Sequence, residues 1–293
     1  MKVLAIVILI HLATSLFSQS EPSREFITDS LSESMFVLRN NFGSNIGVFR
    51  GEDGMLLIDS HLRKDIDSIL VHLNNISTLP VTYLINTHWH WDHVENNETF
   101  ASKGAITISH VNCRKMLSED QAFPLFNYKQ EASSKVSLPK ITFQDSLNIY
   151  FNDETVNIVH LQNAHSNSDA VVIFQNSNII HMGDIFARYG MPFIDVTNGG
   201  TLNGMISACE YVSGLSNSRT KIIPGHGPVS NKQDLIEYAN MLKTIRNRTV
   251  KAIKDGQNLE QFIESKPAKE YNSLIDKEKL LELYYKSMQE IIN

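Results

Sequence analysis

The sequence predicts a layered α/β domain, with amphipathic helices lying outside β-sheets. Short apolar runs of strand length recur in both halves of the chain. Helical stripes separate and flank those runs, and no Pro/Gly/Ser-rich linker divides the 293 residues. A hydrophobic content of 42% supports a substantial core, and one domain beyond the leader is the simplest arrangement.

Residues 1–20 stand apart. Met1-Lys2 gives a positive start, VLAIVILIHLATSLF gives an apolar stretch, and Ser18 and Ser20 permit cleavage. The run is short for a bilayer span and contains His11, so a signal peptide is expected rather than a stable membrane anchor. The mature chain, 21–293, is then periplasmic or secreted. Its first strands are MFVLRN, SNIGVFRG and GMLLIDS, with Gly51-Glu52-Asp53-Gly54 as a tight hairpin. Residues 62–76 place Ile66, Ile69, Leu70 and Leu73 on one helical stripe, and the strand VTYLIN follows. Residues 119–140 show no period and read as a loop. LNIYFN, TVNIVHL, AVVIF, NIIHM and TKIIP are further strands. Helices are expected over 201–214, 232–255 and 277–292.

With 26 Lys+Arg against 32 Asp+Glu, the chain lacks the basic footprint of a nucleic-acid binder. A small-molecule substrate is the expected partner. Cys113 and Cys209 each fall in a helical-looking segment and read as buried free thiols.

The chemistry concentrates in HWHWDH. His88, His90 and Asp92 alternate, so an extended exit from the preceding strand would aim all three the same way. A turn at Asp92-His93 would bring His93 inward as well. Imidazole and carboxylate suit Zn²⁺ and similar first-row ions, with iron and manganese also acceptable. Three further candidates repeat one geography: His165 follows TVNIVHL, Asp184 follows NIIHM, and His226 follows TKIIP. Functional groups in α/β folds gather at such strand ends. Seven candidates exceed one tetrahedral ion and suit two ions sharing a bridging carboxylate. The remaining histidines read as ordinary residues: His61 and His72 at a helix edge, His110 at a helix start, His160 and His181 inside strands. Trp89 and Trp91 would point away from an extended ligand run and pack.

The order HxHxDH, isolated His, GD, GHG resembles the metallo-β-lactamase-fold hydrolase superfamily over about residues 30–255. That resemblance implies a four-layer αββα sandwich, two mixed β-sheets with helices on the outer faces. It implies two Zn²⁺ per chain, one held by His88, His90 and His165, the other by Asp92, His93 and His226, with Asp184 bridging. It further implies a metal-bridging hydroxide that attacks a carbonyl, with Asp92 as the catalytic group that orients it or shuttles a proton. The commonest metallo-β-lactamases carry cysteine at the position of Asp184 and a lysine shortly after. GDIFARYG has neither, and Asp184 is similar instead to the bridging aspartate of glyoxalase II. The leader and the segments PFIDVTNGG and IIPGHGPVS look like a secreted, lactamase-like branch. β-Lactam hydrolysis, broad or weak, is the leading expectation. A lactonase or glyoxalase II-like thioesterase is the enzyme alternative, and a metal-binding protein without catalysis is the alternative of another class. Arg188, Tyr189 and Phe193 are the candidate substrate contacts, although a surface arginine is the plainer reading of Arg188. Phe123, Phe126 and Tyr128 are read as loop packing.

Overall fold

The computed structural model describes residues 25–292, so the expected leader lies outside the described residues. Strands β1 (Ile27–Ser30), β2 (Met35–Arg39), β3 (Ile46–Gly51) and β4 (Gly54–Ile58) run antiparallel in succession. The β3–β4 hairpin closes between Gly51 and Gly54, as the sequence predicts. Helix α1 (Ile66–Ile76) crosses over, so β5 (Val81–Ile85) joins β4 in parallel. Two short helices follow, α2 (Trp91–Val94) and α3 (Asn97–Ser102). Strand β6 (Ile106–His110) then pairs with β5 and leads into α4 (Val111–Leu117). The segment expected as a loop instead holds a small hairpin, β7 (Gln121–Phe123) and β8 (Tyr128–Gln130). Strands of three residues are too short to print a period. Strand β9 (Ile141–Phe143) completes a seven-stranded sheet in the order β1-β2-β3-β4-β5-β6-β9.

The second sheet begins with β10 (Ser146–Phe151), β11 (Glu154–His160), β12 (Ala170–Phe174) and β13 (Ile179–His181), all antiparallel neighbours. Helix α5 (Leu202–Leu215) crosses over to β14 (Lys221–Ile223), parallel to β13, and β15 (Ser230–Asn231) forms the edge. Helix α6 (Lys232–Lys254) starts on a reciprocal cap. The Asn231 side chain accepts from the backbone of Gln233 and Asp234, while Asp234 accepts from the Asn231 N–H. Helices α7 (Leu259–Glu264) and α8 (Lys277–Ile292) end the chain.

Three apolar layers make this a sandwich. Between the sheets, Val37, Phe49, Leu56 and Ile85 face Val156, Ile158, Val172 and Phe174. Outside the first sheet, Ile69 and Leu73 of α1 cover Leu38, Val48 and Leu57. Outside the second, α5, α6 and α8 bring Ile206, Leu242 and Leu281 over Val171, Ile180 and Ile222. Each such fully buried side chain is worth about 1.5–3 kcal/mol. The alternation that buries one face of a strand between the sheets buries the other under helices, giving αββα. Among the described residues no helix is long and apolar enough to cross a membrane. Cys113 and Cys209 are free and buried. His61, expected at a helix edge, is instead fully buried, with Asp65 at 3.3 Å and Asn40 at 3.2 Å. It precedes the first turn of α1, where the stripe has not yet begun.

Candidate metal centre

All seven candidates lie just beyond strand ends on one rim of the sandwich. His88 and His90 follow β5, His165 follows β11, Asp184 sits in a 3-10 turn after β13, and His226 follows β14. The alternation expected through Asp92 stops at His90, which is extended and caps α2. Asp92 and His93 therefore enter from the first turn of a helix, where neighbours are about 100° apart, rather than from a strand. The same change of period affects the tryptophans. Trp89 is fully buried and stacked on Phe123 at 5.1 Å, as packing predicts. Trp91, on the helix, also packs, against Phe123 at 4.6 Å and Tyr128 at 4.7 Å, and in addition lines the cleft.

Ligand atoms fall into two groups within 4.8 Å of one another: His88, His90, His165 and Asp184, and Asp92, His93 and His226. Asp184 faces both. Its Oδ1 lies 3.2 Å from His93 Nε2 and 3.3 Å from His226 Nε2, and its Oδ2 lies 3.7 Å from His165 Nε2. Asp92 Oδ2 is 3.3 Å from His226 Nε2. This close approach depends on Gly225, since a Cβ there would sit 2.0 Å from Asp184 Oδ1.

The outer nitrogen of each imidazole is already occupied. His90 Nε2 donates to Asp195 Oδ2 at 3.1 Å, and His165 Nδ1 donates to the Phe193 carbonyl at 2.9 Å. His93 Nδ1 donates to Asp59 Oδ2 at 2.7 Å, and His226 Nδ1 to the Gly43 carbonyl at 3.1 Å. Thr87 Oγ1 spends its proton on Asp59 and so accepts from His88 Nδ1 at 3.1 Å. Carboxylates and carbonyls only accept, so these partners take the outer N–H of each ring and turn five inner nitrogens toward the centre. His90 Nδ1 and His165 Nε2 then point lone pairs at each other across 2.9 Å, while His88 Nε2, His93 Nε2 and Asp184 Oδ1 are buried without a hydrogen-bond partner. Lone pairs so arranged repel unless a cation lies among them, and the donor set fits borderline divalent ions.

Electrostatics point the same way. Burial, reinforced by neighbouring imidazoles, lowers His88 and pushes His165 down to about 4, keeping both neutral. Burial opposes charge on His226 too, but Asp184 and Asp92 push it up to about 10; with Asp59 they hold His93 well above the usual range. In return, and against their own burial, Asp92 falls to about 2 and Asp184 is held well below the carboxylate range. The second trio is thus a site where positive charge is strongly favoured, whether as protons or as an ion.

The sequence model of the metallo-beta-lactamase superfamily matches residues 39–250. The chain belongs to the metallo-beta-lactamase superfamily. Its fold is similar to that of a metallo-beta-lactamase from Pontibacter korlensis, at 16% identity and a TM-score of 0.60, covering 74% of this chain and 99% of that one. DIM-1 metallo-beta-lactamase gives 16% identity and 0.57, covering 75% and 98%. The sec-alkylsulfatase Pisa1 from Pseudomonas sp. gives 12% identity and 0.61, covering 79% of this chain and 44% of that one. Superfamily members bind a dinuclear metal site, and this superfamily chain presents candidate ligands for one, which points to a metal-dependent hydrolase.

A cleft of about 530 Å³ opens onto the centre. Arg188, Tyr189 and Phe193 all line it, as does Phe126 from the β7–β8 hairpin, which meets Phe193 edge-on at 5.1 Å. Tyr189 lies against His226 at 5.7 Å. Arg188 Nη1 is engaged by Asp234 Oδ1 at 3.1 Å. Sequence reasoning missed Asp59 and Asp195, which orient His93 and His90. Both carried the signal used for the ligands, an acidic residue directly after an apolar run, in LLID and FID.

Proposed function

We propose that this chain is an exported dinuclear zinc hydrolase that opens a cyclic amide, with β-lactams as the leading substrates. One observation carries the proposal: five imidazoles, each with its outer nitrogen engaged, aim inner nitrogens at two points that share the Asp184 carboxylate. A zinc pair bound there would supply Lewis acidity, lowering the pKa of water and polarising a carbonyl.

The chain's residues do the rest. Asp92 is a ligand-distance neighbour of His226, yet part of its carboxylate faces the cleft. It orients the attacking water and takes up the proton that water loses. Asp59 and Asp195 keep His93 and His90 in the right tautomer through the cycle. Trp91, Phe126 and Phe193 form an apolar wall that limits bulk water at the reacting carbonyl.

A second reading, a lactonase or glyoxalase II-like thioesterase, draws support from Arg188. It is the cleft-lining Lys or Arg among the described residues, and Asp234 already engages it. A β-lactam carboxylate would have to compete for that guanidinium, as would the carboxylates of a glutathione thioester, whereas an uncharged lactone would not, so Arg188 favours the lactonase within this reading. Zinc-loaded mature protein offered β-lactams, lactones and glutathione thioesters separates the readings. The proposal expects at least about a hundredfold advantage in kcat/KM for β-lactams, roughly 2.7 kcal/mol of transition-state preference. Thioester or lactone cleavage without β-lactam turnover overturns that choice. Metal retention with no turnover at all favours a binding protein.

A further inference from the structure

We propose that the C-terminal segment Tyr271–Asp276 is a substrate-selecting lip, in which Leu274 and Ile275 hold an uncharged alkyl or aryl substituent of the molecule whose carbonyl reaches the metal centre. The proposal rests on the hydrolase reading of that centre and names the substrate class it takes. Four observations converge on it.

The first is position. Leu274 and Ile275 line the same cleft as Asp92, Asp184 and His226, although they lie more than forty residues beyond His226 in sequence. Leu274 is 79% exposed, the highest value among the large apolar residues described. A lone exposed leucine needs no explanation. This one shares its cleft with the apolar side chains of Trp91, Phe126 and Phe193.

The second is rigidity. The Asn272 carbonyl accepts from Met191 N–H at 2.8 Å, and Ser273 Oγ donates to the Met191 carbonyl at 3.4 Å. Gly190 has φ +100°, and a Cβ there would lie 2.0 Å from Asn272 O, so the two segments touch because position 190 is glycine. Behind the lip, Tyr284 of α8 is fully buried and donates to the Pro192 carbonyl. A leucine held on so anchored a backbone loses little freedom when it meets a ligand.

The third is provenance. The superfamily match ends at residue 250, so the lip and α8 behind it lie outside the matched segment. The fourth is charge. Arg188, the cleft's Lys or Arg among the described residues, is engaged by Asp234. An anionic substituent would find that guanidinium already paired, whereas an apolar one gains about fourfold in affinity per buried methylene.

The test uses binding rather than turnover. Acetate, hexanoate and decanoate are titrated calorimetrically into zinc-loaded mature protein and into its Leu274→Ser variant, whose exposed position leaves the core intact. The carboxylate engages the centre, and the chain reports on the lip. Wild type should gain at least tenfold in affinity from hexanoate to decanoate. The variant should keep its acetate affinity and lose most of that gain, to less than threefold. Equal chain-length gains in both proteins overturn the lip, as does a uniform loss that includes acetate. Tight acetate binding without any chain-length gain in wild type also overturns the lip, while leaving the metal centre standing. Failure of all three acids to bind wild type overturns both readings.

Discussion

A carboxylate buried without water costs several kcal/mol unless hydrogen bonds replace its hydration. Asp59, fully buried, has three: Thr87 N–H at 2.8 Å on Oδ1, and Thr87 Oγ1 at 2.7 Å and His93 Nδ1 at 2.7 Å on Oδ2. Both oxygens are engaged, so the residue acts as a jig for the ligand run. An Asp59→Asn change keeps the shape but not the pattern. If the amide oxygen serves His93, the amide nitrogen faces the Thr87 N–H, donor against donor. Metal affinity at the second trio should fall about 10–100-fold, the usual cost of losing an outer partner. Competition with a chromophoric chelator measures it, and an unchanged zinc affinity would show that Asp59 does not set the tautomer. His88, His90, Asp92 and His93 are legible from their spacing in HWHWDH, and His165, Asp184 and His226 from their places just after apolar strands. Asp59 is not, because one aspartate among many acids has no spacing to mark it. Its position directly after GMLLI was the available signal.

At the scale of elements, what the chain showed depended on length. Strands β3, β4, β11 and β12 run five to seven residues and alternate or stay apolar throughout, so they were visible. Helix α2 has four residues and β7 and β8 three each, less than any period needs, so the sequence predicts an extended ligand run and a loop where the β7–β8 hairpin stands. Strand β6, ITISH, gives no apolar run because its Thr107, Ser109 and His110 are polar yet buried. His110, ending β6, stacks on His160, ending β11, with centroids 3.7 Å apart and planes 12° apart. His110 Nδ1 accepts from Asn112 N–H, capping α4, and His160 Nδ1 faces the Asp169 carbonyl. Burial, then the facing His160, pushes His110 down to about 4 despite Asp145 nearby; burial also lowers His160. Depressed folded-state values mean that this contact stabilises fully above the unfolded histidine value of about 6.5 and is lost as pH falls toward 4. His110→Phe keeps the stack and removes one titration. Between pH 7.5 and 5, chelator-treated wild type should lose more denaturant stability than the variant. Parallel losses would mean that the pair carries no acid sensitivity.

Across the whole molecule, the candidate centre is where the two sheets are tied at their rim. His88 and His90 leave the first sheet, while His165, Asp184 and His226 leave the second. Protein contacts already stitch this edge: Ala170 N–H reaches the Thr87 carbonyl at 2.8 Å, and Asn45 N–H reaches the Gly225 carbonyl at 2.7 Å. An ion shared by ligands from both sheets would add cross-links that exist only in the folded chain, because residues 88 and 226 converge nowhere else. Ligand binding to the native state stabilises it by about 2.7 kcal/mol when the free ion is at a hundred times its dissociation constant. For a domain of this size that corresponds to about 5–10 °C in melting temperature. Stripping the protein with a chelator should therefore lower Tm by that amount, and zinc returned in excess should restore it. In His165→Ala, which removes a ligand joining β11 to β5, the chelator-dependent drop should shrink by half or more. The same Tm with and without chelator in wild type would mean that the seven side chains hold no ion that matters to the fold, and the sheets would then rest on the apolar layer between them and the hydrogen bonds at the rim.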